Sequence, residues 1–131
     1  MTQNEKDILL KDLCGRLPYG VVIQEKCVEH DETFLPNKEG DRLVNIDAHT
    51  HGGLLMTNCG SWYYLDEIKP YLFPMSSMTE EQNLDYLRTC KGGNAYVPTL
   101  ASFEWCDKNH FDYRGLIPMG LANDATGLNI Y

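Results

Sequence analysis

The most chemically suggestive stretch of the chain is Asp47-Ala48-His49-Thr50-His51, at the end of an apolar run, Leu43-Val44-Asn45-Ile46. Alternate residues of a strand point the same way, so His49 and His51 can chelate one divalent ion with Asp47 behind them. Cys106 and His110 stand one helical turn apart and could complete a four-ligand zinc site with the two imidazoles. A second kind of chemistry is suggested by Trp62, Tyr63 and Tyr64, the densest aromatic cluster, in which Trp62 and Tyr64 share a strand face. An aromatic left exposed there could stack on a base or dock on a partner, with Arg42, Lys69 or Arg114 supplying charge. Tyr113-Arg114 repeats the pairing of an aromatic with a cation, although Arg114 could equally pair with Asp112.

The stretch IDAHTHGG, residues 46 to 53, resembles the first metal-binding motif of the amidohydrolase superfamily, in which a strand ends in Asp-x-His-x-His. The resemblance implies a metal-dependent hydrolase using His49, His51 and Asp47. That chemistry also needs further His ligands and a carboxylate on later strands of a barrel, and barrels of this kind take about 250 residues. Here 131 residues are given, and His110 is the one histidine after His51. The plainer reading outweighs it: a half-exposed strand with Val44, Ile46 and Ala48 toward the core and the polar residues in water near a Gly-Gly bend. Gly92-Gly93 lacks the Lys and Ser or Thr of a phosphate-cradling loop.

The elements that must position these residues follow from patterning. A chain of 131 residues with 43% apolar content fits one domain with one core. Thr2 and Glu5 stand at capping-box spacing before Leu9, Leu10, Leu13 and Leu17, which predicts a helix over residues 3 to 15. Residues 20 to 28 and 42 to 50 read as strands, and LLMTN and SWYYLDEI add two more in an antiparallel meander. Pro70 and Pro74 should end the sheet, because proline cannot donate to a ladder. Thr79 with Gln82 opens a second helix with Leu84 and Leu87 on its apolar side. Thr99 starts a third, with Leu100, Phe103, Cys106 and His110 on one stripe, and Asp112 could cap a last short helix over Tyr113 to Ile117. The tail NDATGLNIY is either loose or packed as a strap. The expected fold is α+β: an N-terminal helix, one small antiparallel sheet or partly rolled barrel of four to five strands, and two to three C-terminal helices.

Charge and cysteine usage narrow the function. Eleven Lys and Arg against 19 Asp and Glu give −8, which disfavours polymeric nucleic acid and leaves a small anionic ligand open. No basic, apolar leader opens the chain and no stretch of about 18 apolar residues occurs, so a cytoplasmic protein with no membrane partner is expected. Five widely spaced cysteines without a C-x-x-C pair read as reduced thiols.

LKDLCGRLPYGV at residues 10 to 21, IKPYLFPMSSMTEEQ at 68 to 82 and NHFDYRGLIPMGLA at 109 to 122 are similar to three blocks shared by a family of small phage and prophage proteins of gut Bacteroides-type bacteria. The blocks cover about a third of the chain, which departs from the family pattern at Phe73, usually Arg, and at Pro118-Met119, often Glu-Lys. The resemblance implies a phage-encoded accessory role and no particular chemistry. The expectation is therefore a non-enzymatic protein that acts by binding, such as a counter-defence factor that sequesters a host nucleotide signal or blocks a host protein. Open sheet edges suggest that it forms a homo-oligomer. No cofactor is expected, zinc at His49 and His51 being the one candidate.

Overall fold

In a computed structural model the described residues are 1–25, 42–49, 53–58, 60–92 and 96–131. Helix α1 (Gln3–Arg16) starts where the capping box places it: Glu5 N–H donates to Thr2 Oγ1 at 3.2 Å and Thr2 N–H to Glu5 Oε2 at 2.7 Å. It buries Leu9, Asp12, Leu13 and Arg16, one face at helical spacing. A 3₁₀ turn at Leu17–Tyr19 and Gly20, at φ 64°, then swing the chain into strand β1 (Ile23–Glu25).

Strands β2 (Leu43–Asp47), β3 (Leu54–Thr57) and β4 (Trp62–Tyr64) form the expected antiparallel meander, in the order β2-β3-β4. Strand β1 does not join it. It pairs antiparallel with β5 (Ile68–Pro74), and the short strands β6 (Phe111–Asp112) and β7 (Asn123–Asp124) add to β5 in parallel. The fold is α+β with two sheets, of four and three strands, rather than one sheet or barrel.

The prolines stand inside the hub strand β5 instead of ending the sheet. Tyr71 N–H reaches the Val22 carbonyl at 2.9 Å and Phe73 N–H the His110 carbonyl at 2.8 Å. Pro70 and Pro74 alternate with these residues, so their missing donors fall on the other edge of β5. There the Leu72 carbonyl accepts Ala125 N–H at 2.8 Å and β7 pairs only at Tyr71 and Leu72.

A register shift between Leu43 and Asn45 also overturns the expected facing of β2. Leu43 is buried, Val44 is 46% exposed, Ala48 is exposed and only Ile46 packs at the core edge. Helices α2 (Glu80–Thr89) and α3 (Leu100–Lys108) pack on each other, and Thr79 caps α2 with Gln82 as the spacing requires. The apolar side expected of α2 is not core: Leu84 is exposed and Leu87 half-buried. The stripe expected on α3 divides likewise, with Leu100 and Phe103 exposed, Cys106 buried, and His110 beyond the helix end at φ 64°.

No helix forms over residues 113 to 117, which makes two C-terminal helices. Gly115 at φ 76° breaks that turn, and Asp112 instead caps a loop, its carboxylate accepting Leu116 N–H at 2.8 Å and Ile117 N–H at 2.9 Å. The main core joins Leu9 and Leu13 to Ile23, Leu43, Leu55 and Leu72. A smaller cluster of Val22, Tyr71, Ala125 and Ile130 seats the tail as a strap.

Candidate functional site

The chemistry-bearing residues read from the sequence fall in separate places. On β2, Asp47 accepts the His49 backbone N–H at 3.0 Å through Oδ1, a local turn bond at an exposed strand end. His51 lies outside the described residues. Among the described residues no three His, Cys, Asp or Glu side chains gather as a metal site, and Cys106 and His110 are buried.

Trp62 and Tyr64 share the outer face of β4, each 45% exposed, while Tyr63 packs on the core, as strand alternation requires. Lys69 is exposed on β5 opposite Gln24, in the other sheet. Arg42 acts as a clamp: Nη1 donates to the Gly20 carbonyl at 2.7 Å, Nη2 to the Ile130 carbonyl at 3.4 Å, and its guanidinium carbon lies 5.9 Å from the Tyr131 ring centre. Tyr131 in turn stacks on His110, centroids 3.6 Å apart, and its hydroxyl donates to the Tyr71 carbonyl at 2.7 Å while accepting Val22 N–H at 2.9 Å.

Tyr113 and Arg114 come together with residues to which the sequence reading gave no functional role. They border an open cleft of about 470 Å³ with Lys11 of α1 and Leu100, Phe103, Glu104 and Asp107 of α3. The spacing of Leu100, Phe103, Glu104 and Asp107 puts all four on one side of α3. Phe103 and Tyr113 form a tilted aromatic pair with centroids 5.1 Å apart, and the Arg114 guanidinium lies 4.9 Å from the Tyr113 ring.

Behind the cleft the charged groups form a closed circuit. Arg16 is fully buried and donates to Asp12 from Nε at 2.7 Å and from Nη2 at 3.2 Å. Its Nη2 also reaches the Phe111 carbonyl at 2.7 Å, tying α1 to β6. Arg114 donates from Nε to the same Asp12 at 3.2 Å and from Nη2 to the Tyr113 hydroxyl at 3.2 Å. That hydroxyl hydrogen-bonds the Asp107 carboxyl, whose Oδ1 stands 3.9 Å from Arg16 Nε and has no hydrogen-bond partner. Two arginines face two aspartates, so the circuit is charge-balanced and burial is tolerable. Gly15 makes room for it: a Cβ there would lie 2.8 Å from Asp107 Oδ2.

These surroundings shift the groups around the cleft. Burial pushes the Asp107 carboxyl above its ordinary value against the opposing pull of Arg16. Burial and the neighbouring Asp107 push Tyr113 up to about 12, and burial pushes the Cys106 thiol up to about 12. His110 goes the other way, to about 4, through burial and then the charges of Arg16 and Arg42. At neutral pH the thiol and phenol stay protonated and the imidazole is a weak base, a poor set for nucleophilic catalysis.

The signals missed in the sequence were local but ambiguous. Asp12 and Arg16 at i, i+4 look like any surface pair, and only burial distinguishes them. In comparison with known proteins, no family model, no curated protein and no solved structure matches the chain, so the residues themselves carry the functional reading.

Proposed function

We propose that the protein acts by binding rather than turnover, and that it takes a small planar anion of nucleotide size in the cleft between α1, α3 and the Tyr113-Arg114 loop. The observation that carries this reading is the Phe103–Tyr113 aromatic pair bordered by Lys11 and Arg114 in one cleft of about 470 Å³. Cavities of about 300 to 1,000 Å³ suit such ligands. The exposed face of Phe103 can stack on a planar ring, and Lys11 supplies a local cation for a phosphate although the chain carries −8 overall.

In biological terms the reading is a phage-encoded accessory protein of the host cytoplasm that sequesters a nucleotide signal as a counter-defence device. The three sequence blocks support the phage origin, and one of them contains Tyr113 and Arg114. Among the described residues no helix is long and apolar enough to cross a membrane. Self-association is part of the proposal, through the β4 side of the three-stranded sheet with Trp62 and Tyr64 or through the exposed Tyr96, Val97 and Leu100.

The test is a thermal-shift screen with linear and cyclic nucleotides, each at about a hundred times its dissociation constant, where linkage adds about 2.7 kcal/mol of stability. The expected result is stabilisation by at least one nucleotide that Phe103→Ala and Lys11→Glu abolish. A flat response across the panel would overturn it and move blocking of a host protein to the front.

A further inference from the structure

Lys11 and Glu104 carry opposite charges and border the same cleft, yet neither side chain makes a hydrogen bond or ion pair with another described residue. The other two charged groups of the cleft are held in place, Arg114 by Asp12 and Tyr113, and Asp107 by Tyr113 and Arg16. Asp107 is 7% exposed and its Oδ1 is shut off from solvent 3.9 Å from Arg16 Nε, which leaves the exposed Glu104 as the carboxylate open to a ligand.

Among the described residues the cleft therefore offers one uncommitted cation, Lys11, to an anionic group and one uncommitted carboxylate, Glu104, to a group rich in hydrogen-bond donors. Among nucleobases this selects strongly. Guanine presents N1–H and the N2 amino group side by side, two donors that match the two oxygens of a carboxylate. Adenine and cytosine offer a donor beside an acceptor, and the acceptor would face carboxylate oxygen. Uracil flanks its single N–H with two carbonyls, which is worse.

Resting on the nucleotide reading above, we infer that the cleft is a guanine-nucleotide site: Glu104 accepts from the guanine edge, the exposed face of Phe103 stacks on the ring, and Lys11 holds the phosphate. The Glu104 carboxylate provides specificity, because a wrong base leaves it facing an acceptor, while Lys11 provides affinity to any nucleotide.

Isothermal titration of the full chain with guanosine, adenosine, cytidine and uridine 5′-monophosphates, and with guanosine itself, tests this. Guanosine monophosphate is expected to bind at least about tenfold more tightly than the other three nucleotides, in line with the discrimination of one bidentate base contact. Glu104→Gln, a change at an exposed position, should collapse that ratio without weakening adenosine monophosphate, because the amide complements adenine. Lys11→Ala should weaken all four nucleotides alike and leave guanosine unchanged. Binding of adenosine monophosphate as tight as that of guanosine monophosphate, or an unchanged ratio in Glu104→Gln, would overturn the guanine assignment and leave the nucleotide reading standing. Binding of none of the four, in a protein that melts cooperatively, would overturn both.

Discussion

Arg16 grips Asp12 from one turn farther along α1, Nε to Oδ2 at 2.7 Å, with both side chains fully buried. Because each ion is out of water, removing Arg16 leaves Asp12 with Arg114 alone among the described residues, and removing Asp12 leaves Arg16 with no described carboxylate nearer than Asp107 at 3.9 Å. Arg16→Ala or Asp12→Ala should each lower stability by about 3 to 5 kcal/mol. In urea denaturation the double variant should cost much less than the sum, as expected for partners in one network. Strict additivity would show that the pair is not a coupled unit.

Gly15 offers a test with an inverted sign. Glycine inside a helix is normally worse than alanine by about 1 kcal/mol, so Gly15→Ala should stabilise α1 if only backbone propensity mattered. The added Cβ would instead stand 2.8 Å from Asp107 Oδ2, in a side chain held by the buried circuit. Overpacking of that kind costs about 1 to 3 kcal/mol, so a net loss of stability is expected. A Gly15→Ala variant more stable than the parent would mean that Asp107 swings aside freely.

The Tyr131 hydroxyl stands within the β1–β5 ladder, between Val22 N–H and the Tyr71 carbonyl. Tyr131→Phe keeps the ring stacked on His110 and removes only this bridge, so that the buried Val22 N–H loses this acceptor and the Tyr71 carbonyl this donor. A loss of about 1 to 3 kcal/mol is expected, together with faster hydrogen exchange at the Val22 amide. A variant of unchanged stability would show the ladder closing directly behind the lost oxygen.

What could be read from the sequence was what is decided within a few residues. The Thr2–Glu5 and Thr79–Gln82 capping boxes and the shared face of Trp62 and Tyr64 depend on local spacing, and all stand as expected. The role of β5 was not legible, because whether Pro70 breaks a ladder depends on which edge its absent donor faces, and that is set by the partner strands. The circuit behind the cleft joins residues up to 102 positions apart, as in Arg114 to Asp12. Its one local sign, Asp12 with Arg16, has the same look as Arg88 with Asp85, a pair that is largely solvated. Tyr113 and Arg114 were legible as an aromatic beside a cation, whereas Lys11, Phe103 and Glu104 gained meaning only once α1 and α3 were brought together.

Stability should depend on pH through His110. Its folded value is lowered to about 4 from an ordinary 6.5 by burial and then by Arg16 and Arg42, and a protonated Nδ1 would lack an acceptor. Between these values the unfolded chain binds the proton and the native protein does not, so stability rises with pH across the window and is lost as pH falls from about 6.5 toward 4. The full loss is on the order of 3 kcal/mol. Asp107 opposes it: its raised value means that the native protein holds a proton more tightly than the unfolded chain, favouring lower pH. The contribution of His110 is isolated by comparing the parent with His110→Asn, a residue that tolerates the φ of 64° at this position. Denaturation midpoints measured from pH 4 to 7 should fall steeply with acid in the parent and less steeply in the variant. Parallel curves would mean that His110 takes up its proton in the folded state without penalty, and that the stack with Tyr131 opens to water in acid.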